Sequence, residues 1–249
     1  TDLVFCDCKW IENNKNQRLN IFSFHKDMDI SRSELTAIMQ DRLHNPLYIS
    51  GPLSFKGKLI KRSIILENNL VFEEELRYME DEIFMWNVLA FVESVKYLRK
   101  QFYNYYVHPN VNTTVVESLN LGFPISKFKI IRDHIKQSFS HRGCSPQMVT
   151  RLGDQAFIYF VINVLISNSK SILQGKIDRD KGEKCRRKII DSIMSDKEVF
   201  KALKSYVRSE KESYWIPFAI RLKLPKLLEF LCTKRAQKIV KIRKSGLPH

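Results

Sequence analysis

Residues 72–86 read FEEELRYMEDEIFMW, and this stretch decides how the first half of the chain folds. Six acidic side chains lead into an apolar run that begins at Ile83, and acids suit the positive end of a helix dipole. The pattern predicts a helix over Asp81–Ser94 whose first turn Asp81 caps. A second interpretation is open at this point. A carboxylate fixed at the end of a rigid helix can accept a proton from a substrate hydroxyl.

Around this helix the sequence alternates short apolar strands with helices, and after residue 120 the strand patterns fade. Apolar β-type runs predict strands at Leu3–Cys8, Leu19–Phe24, Val95–Leu98 and Phe102–Val107. Helical spacing predicts helices over Ser31–Arg42 and Lys58–Asn68, and then over Ile125–Ser140, Pro146–Ser169, Gly182–Ser195 and Asp196–Val207, with a polar loop at Gly175–Glu183. The sequence therefore predicts an α+β fold in two domains, residues 1–118 with the sheet and residues 119–249 all helical.

The positive charge is concentrated at the C-terminus. The chain carries 42 Lys and Arg against 27 Asp and Glu, a net of +15, and residues 201–249 alone contribute +10. A nucleic-acid-binding domain would be basic throughout and would show a recognition motif, so we expect no nucleic-acid partner. Apolar and basic residues alternate over Trp215–Lys244, which predicts contact with an anionic membrane surface through Trp215, Phe218, Arg221, Lys223 and Lys226. Packing of the same apolar residues on the preceding helices is the alternative.

Metal-site and membrane-span patterns are weak in this sequence. The five cysteines are scattered without paired zinc spacing or a disulfide framework, which favours a reducing compartment. Two Asp-x-Asp sequences, Asp27–Asp29 and Asp178–Asp180, fit helix-end or solvated carboxylates better than metal ligands. No uninterrupted apolar run reaches the roughly 18 residues of a spanning helix. We therefore expect a peripheral rather than an integral membrane protein.

The order of several motifs resembles the family 2 glycosyltransferases of bacterial polysaccharide synthesis. Residues 58–64 (KLIKRSI) are followed by Asn69 and Phe72, and then by a Tyr-x-Glu-Asp-x-x-Phe motif over residues 78–84. A Tyr-x-Tyr segment at residues 103–105 precedes His108 and a Pro-Asn pair. The resemblance covers about residues 1–114, and the helical remainder resembles the family only loosely.

The resemblance implies a GT-A fold, a nucleotide-sugar donor, a saccharide or lipid-linked acceptor, and transfer with inversion. It implies that Asp81 is the catalytic base and that Glu80 shapes the acceptor site. It assigns substrate binding to Lys58, His108, Arg77 and Tyr78, and it makes His108 a candidate metal ligand. It also implies a divalent metal, Mn or Mg, held by an Asp-x-Asp that we expect upstream of Thr1 with the nucleotide-binding segment.

The resemblance and the charge distribution together predict a cytoplasmic enzyme at the inner face of the cell membrane. It would add a sugar to a surface polysaccharide or to a lipid-linked oligosaccharide. The alternative from another functional class is a non-catalytic basic protein that binds membranes or RNA. In that case the acids around residue 81 only stabilise a helix.

Overall fold

The computed structural model describes residues 1–12, 15–19, 26–44, 56–76, 79–107, 124–208 and 212–244. The fold is α+β as predicted, with the mixed sheet in the first half and helices in the second. The chain divides into two compact units. Unit 1 comprises Thr1–Asn112 and Asp133–Leu152, and unit 2 comprises Thr113–Arg132 and Gly153–His249. The domain boundary predicted at residue 118 lies outside the described residues.

The described residues form five strands and nine helices. The strands are β1 (Leu3–Glu12), β2 (Lys15–Leu19), β3 (Met28–Ser31), β4 (Lys58–Ile60) and β5 (Ser94–Val107). The first four helices are α1 (Arg32–His44), α2 (Arg62–Glu67), α3 (Glu80–Phe91) and α4 (Ile125–His141). They are followed by α5 (Pro146–Leu173), α6 (Arg179–Ser195), α7 (Lys197–Ala202), α8 (Trp215–Arg221) and α9 (Pro225–Lys244).

Strand β1 lies at the centre of the sheet. It pairs in parallel with β5, from Leu3 opposite Val95 to Glu12 opposite Val107. On its other edge it pairs antiparallel with β4 through residues 3–5 and antiparallel with β2 through residues 8–12. Strand β3 closes the far side by pairing antiparallel with β5. The short strand β4 is thereby fixed directly beside the buried start of β1.

Two predicted elements of unit 1 differ from the observed ones, and in unit 2 the helix predicted over Asp196–Val207 is the shorter α7, which ends at Ala202. The helix predicted from Lys58 begins only at Arg62, because residues 58–60 pair with β1 as β4. The two strands predicted between residues 95 and 107 are one strand, β5, whose register against β1 shifts around Asp7. Strand β2 spans Lys15–Leu19, and apart from Leu19 the strand predicted over Leu19–Phe24 lies outside the described residues.

The core of unit 1 includes α3, which is apolar almost all round. Its residues Ile83–Ala90 are buried except for Asn87, as expected of a helix covered on every side. The indole ring of Trp86 packs on Phe139 of α4, with ring centroids 5.5 Å apart. The Ser138 hydroxyl donates to the Trp86 carbonyl oxygen at 2.9 Å. The acidic first turn of α3 therefore continues into a helix whose later residues are closely packed in the core.

Arg142, directly after α4, is a buried cation that binds backbone oxygens. Its guanidinium donates hydrogen bonds of 2.5–3.1 Å to the carbonyl oxygens of Leu89, Val92 and Arg32 and to the Thr36 hydroxyl. Burial, with a smaller contribution from Arg32, lowers the pKa of Arg142 to about 10. The side chain ties together the start of α1, the end of α3 and the end of α4.

Ion pairs and buried polar contacts hold the helices of unit 2 together. Glu198 of α7 receives Lys129 at 2.8 Å and Arg132 at 2.6 Å, both from α4, and their hydrogen bonds lower the pKa of Glu198 to about 2. Arg186 of α6 binds Glu229 of α9 at 2.6 Å. Helix α6 begins at residue 179, inside the predicted loop, because Asp178 caps it by accepting the Lys181 N–H at 3.0 Å.

Helix α5 is long and apolar enough, by length and composition alone, to cross a membrane. Its most apolar 18-residue window has a mean hydropathy of 1.5, although polar residues interrupt every purely apolar run. Just over half of that window, 56%, is buried inside the protein. The core helix of a soluble protein has the same properties, so the feature is only a weak indication of a membrane span.

Candidate functional site

The first turn of α3 carries Glu80, Asp81 and Glu82, and its geometry differs from the predicted cap. The N-cap position is Met79, which has a positive φ of 68° and makes no side-chain cap bond. A left-handed conformation is rare for a large side chain and is enriched at functional sites. Asp81 lies inside the first turn and accepts the Glu82 N–H at 2.9 Å. It therefore neutralises a free backbone donor without being the N-cap.

Lys58 on β4 is a cation that interacts electrostatically with Asp81 of this acidic turn. Its Nζ lies 4.9 Å from the centroid of the Phe5 ring and 3.4 Å from the Lys56 carbonyl oxygen. Although part of the residue reaches solvent, burial of the ammonium lowers the pKa of Lys58 to about 7. Negative charge on Cys8, Cys6 or Asp81 opposes that shift. The sequence-predicted base and the sequence-predicted phosphate ligand therefore lie within electrostatic reach of each other.

Two buried thiols and a glycine position Lys58. The Cys6 N–H donates to the Gly57 carbonyl oxygen at 2.9 Å, and its thiol contacts the same oxygen at 3.2 Å. Gly57 has a φ of +65°, and a Cβ placed there would lie 3.2 Å from the sulfur atoms of both Cys6 and Cys8. Burial raises the pKa of both thiols, which favours their neutral form. Because Gly57 has no side chain, the backbone before β4 can lie directly against Cys6 and Cys8 of β1.

Glu82 and Arg42 extend this charge cluster, and sequence reasoning did not single them out. Burial raises the pKa of the Glu82 carboxyl, the positive charge of Arg42 on α1 lowers it, and the negative charge of Asp81 raises it further. Two acids of α3 therefore interact electrostatically with two cations, Glu82 with Arg42 and Asp81 with Lys58. A third consecutive acid at a helix start indicates dipole stabilisation in the sequence, so no signal distinguished Glu82 from its neighbours.

The aromatic residues of the motif also come together. Phe72 stacks on Phe84 of α3 with ring centroids 4.3 Å apart and planes 8° apart. Next to this stack, the His134 imidazole lies 3.1 Å from the Asn87 side-chain oxygen and 3.4 Å from the Glu73 carboxylate. These contacts fasten the segment before the acidic turn onto α3 and α4.

Of the remaining residues named by the resemblance, some are described by the structure and others are not. Glu80 is half-buried as the first residue of α3. Asn69 adopts a positive φ of 50° and ends α2 with backbone bonds from Asn69 to Leu66 and from Leu70 to Ile65. The predicted site residues Arg77, Tyr78 and His108 lie outside the described residues.

The described residues offer no ready metal site. Among them, no group of three or more His, Cys, Asp or Glu side chains is placed to hold an ion. Asp27 accepts the Arg99 N–H at 2.7 Å, and the Asp29 carboxylate lies 3.8 Å from the Lys96 ammonium. The cap made by Asp178 was described above. The divalent metal implied by the resemblance therefore stays a prediction that these residues do not test.

The predicted membrane residues belong to unit 2, on α8, the turn that follows it and the first turn of α9. Trp215, Arg221, Lys223 and Lys226 are exposed, and Phe218 is half-buried. Arg221 also donates to the Leu203 carbonyl oxygen at 2.7 Å, so it has a structural contact as well.

Comparison with known proteins assigns no family to this arrangement. No family model matches the chain, and no curated protein sequence matches it. The resemblance to family 2 glycosyltransferases therefore rests on the motif residues and their order.

Proposed function

We propose that this protein is an inverting glycosyltransferase that moves a sugar from a nucleotide-sugar donor to a hydroxyl of a saccharide or lipid-linked acceptor. The observation that carries the proposal is the placement of Lys58 and Asp81 within electrostatic reach on two rigid elements, β4 and α3. A base and a cation held in this way are what direct displacement of a diphosphate requires.

Asp81 is the proposed general base. The acceptor hydroxyl gives its proton to the Asp81 carboxylate while its oxygen bonds to the anomeric carbon of the sugar. The bond from that carbon to the diphosphate breaks, and the diphosphate leaves with the electron pair. Asp81 suits this role because it lies on a packed helix and because its hydrogen bond to the Glu82 N–H orients the carboxylate.

Lys58 is the proposed cation for the leaving diphosphate. With a pKa of about 7, the amine is charged in roughly half of the molecules at neutral pH. A bound diphosphate would favour the charged form, so donor binding is expected to take up protons near pH 7. Glu80, the first residue of α3, is the proposed contact to the acceptor. Arg77, Tyr78 and His108 remain candidate substrate ligands.

The resemblance assigns the metal and the nucleotide to an Asp-x-Asp segment ahead of residue 1. We assign no step to the metal, because the described residues provide no ligand cluster for it.

The experiment is a transfer assay over a panel of nucleotide-sugars, followed by Asp81→Asn with the active donor. Asn keeps the size of the side chain and its ability to accept the Glu82 N–H, but it cannot take a proton. We expect the rate to fall by about 10²- to 10⁴-fold with an unchanged melting temperature. Asp180→Asn is the matched control, because Asp180 occupies the same second position of α6. It should transfer at the wild-type rate.

The alternative is a non-catalytic basic protein that binds membranes or RNA, and the concentration of exposed basic residues on α8 and α9 favours it. It predicts no transfer with any donor. If donors are consumed but Asp81→Asn stays within a few-fold of the wild-type rate, the enzyme class stands and Asp81 is not its base.

A further inference from the structure

The apolar residues of α8, α9 and the turn between them include two sets with opposite environments, besides half-buried residues such as Phe218 and Leu227. One set packs inside unit 2 and is buried: Ile216, Ala219, Ile220, Leu228, Cys232 and Ala236. The other set faces solvent: Tyr214, Trp215, Leu222, Leu224 and Phe230, with Trp215, Leu222 and Phe230 each more than half exposed. Because the buried set already closes the core, the exposed set is not needed for packing. A cluster of large exposed apolar side chains marks an interaction surface.

The turn between α8 and α9 presents apolar and basic residues alternately. All six residues 221–226 (RLKLPK) are exposed. The turn is ordered by the Lys223 N–H, which donates to the Ile220 oxygen at 3.0 Å, and by the Leu224 N–H, which donates to the Ala219 oxygen at 2.9 Å. The two leucines are therefore displayed by a defined helix ending with Lys223 at the left-handed position.

Helix α9 continues this surface as a single stripe. Lys226, Phe230, Lys234 and Lys238 follow one another at intervals of four and are all exposed. They cover about 18 Å of the helix. The Lys234 ammonium lies 5.5 Å from the centroid of the Phe230 ring. The stripe and the turn together are called the α8–α9 surface below.

No acid neutralises the α8–α9 surface from its own helices. From Tyr214 to His249 the chain has nine basic residues and one acid, Glu229. Glu229 is paired with Arg186 of α6 at 2.6 Å. The acid within these helices is therefore already paired, and a partner that carries negative charge and accepts apolar side chains would complement the surface.

We propose that the α8–α9 surface docks on the interface of an anionic lipid bilayer. Trp215, Leu222, Leu224 and Phe230 enter the headgroup boundary, and Arg221, Lys223, Lys226, Lys234 and Lys238 contact anionic headgroups. Of the residues predicted from the sequence over Trp215–Lys244, Phe218 is half-buried and is left out of this surface. The proposal holds whether or not the protein transfers sugar. If it does, this surface would bring the enzyme to a lipid-linked acceptor.

A lipid surface suits these residues better than RNA. Single-stranded RNA binds basic grooves in which aromatic rings stack on bases. Leu222 and Leu224 gain nothing from an RNA backbone, but they lose their exposed apolar area in a membrane interface. The combination of exposed leucines and basic residues therefore favours a lipid surface. RNA binding is one of the outcomes that the test distinguishes.

The test is flotation of the whole chain with phosphatidylcholine vesicles that contain or lack phosphatidylglycerol, at low and high salt. The charge variant combines Lys223→Glu, Lys226→Glu and Lys234→Glu. The apolar variant combines Leu222→Ser, Leu224→Ser and Phe230→Ser. The charge control, with the same change in net charge on unit 1, combines Lys61→Glu, Lys96→Glu and Lys100→Glu. The apolar control replaces other exposed side chains: Leu66→Ser, Val71→Ser and Phe102→Ser.

We expect salt-sensitive flotation only with phosphatidylglycerol. The charge variant should bind at least about 100-fold more weakly and the apolar variant at least about 10-fold more weakly, while both controls stay within about twofold. As a second readout, phosphatidylglycerol vesicles should shift tryptophan emission to the blue, and Trp215→Phe should abolish the shift.

Three results would overturn the proposal. The first is a wild-type protein that stays in the soluble fraction at low salt. The second is an equal loss of binding in the variants and their controls, which would indicate nonspecific attraction. The third is binding to polyuridine that the charge variant loses and the apolar variant keeps, without flotation, which would indicate a nucleic-acid surface. Thermal melting of each variant checks that the fold is kept.

Discussion

Unit 1 contains two cations with a lowered pKa, the buried Arg142 and the half-buried Lys58, and their surroundings are opposite in kind. The Arg142 guanidinium donates to four neutral oxygens: two belong to α1, one to α3 and one to Val92 directly after α3. Lys58 contacts the face of Phe5 and one carbonyl oxygen, and it lies in the field of the Asp81 carboxylate. Both have a lowered pKa, about 10 for Arg142 and about 7 for Lys58.

The difference separates a structural cation from a chemical one. A guanidinium that keeps its charge at neutral pH and satisfies several carbonyl oxygens fastens helices together. An amine that titrates near pH 7 beside a carboxylate has the property expected of a functional site. The comparison therefore predicts that Arg142 contributes mainly to stability and that Lys58 contributes mainly to activity.

The largest expected effect is the loss of stability in Arg142→Met. The substitution removes the donors from four oxygens, three of which are backbone carbonyls of α1 and α3. We expect the free energy of unfolding, measured by urea titration, to fall by about 3–5 kcal/mol. Transfer per folded molecule should not change. The matched control is Arg151→Met, which replaces an exposed arginine of unit 1 and should cost less than about 0.5 kcal/mol. If both variants lost the same free energy of unfolding, the structural role assigned to Arg142 would be wrong.

Lys58→Met should show the opposite pattern. Replacing a buried cation by an apolar side chain of similar length often leaves stability unchanged or raises it. We expect urea unfolding at pH 7 to match or exceed the wild type, while sugar transfer falls about 10- to 100-fold. A loss of more than about 1 kcal/mol at pH 7 would make Lys58 a structural cation like Arg142.

The same variant carries a pH prediction. The folded pKa of Lys58, about 7, lies below the ordinary value of 10.5. Between these two values the unfolded chain binds more protons than the folded one, so this group makes stability rise with pH. The wild type should therefore gain stability relative to Lys58→Met from pH 7 to pH 10. Parallel pH profiles of the two proteins would contradict the assigned burial.

The smallest expected effect concerns the buried hydrogen bond between Tyr97 and Asp7. The Tyr97 hydroxyl donates to the Asp7 carboxylate at 2.7 Å, and both residues are fully buried. Tyr97→Phe removes this donor and should lower the free energy of unfolding by about 2 kcal/mol. Tyr106→Phe, an exposed tyrosine of the same strand, is the control and should have almost no effect. If both variants unfold alike, the buried hydrogen bond does not contribute to stability.

The longer helices were predictable from the sequence, and the short paired strands were not. Helices α3, α4 and α5 carry long apolar patterns, and their starts fell within one residue of prediction. The three residues of β4 have no strand pattern of their own, because pairing with β1 sets their conformation. The bulge opposite Asp7 likewise made one strand, β5, look like two. Tertiary pairing overrides local propensity in such segments.

The sequence singled out two residues of the candidate site but not their arrangement. Asp81 and Lys58 were singled out by the order of motifs. Their proximity depends on β4 pairing with β1 and on Gly57 approaching the thiols of Cys6 and Cys8. Arg42 and Glu82 are separated by 40 positions and have no joint pattern. Arg142 looks in the sequence like any basic residue at the end of a helix, and only its burial reveals its role.

The most direct test of the Lys58–Asp81 pairing is the titration of the Lys58 side chain by NMR, in the wild type and in Asp81→Asn. Lys58→Met identifies the resonance. We predict a pKa of about 7 in the wild type and a lower one in Asp81→Asn, because the Asp81 charge raises the pKa of Lys58. A pKa near the ordinary 10.5, or one that does not respond to Asp81→Asn, would contradict the account.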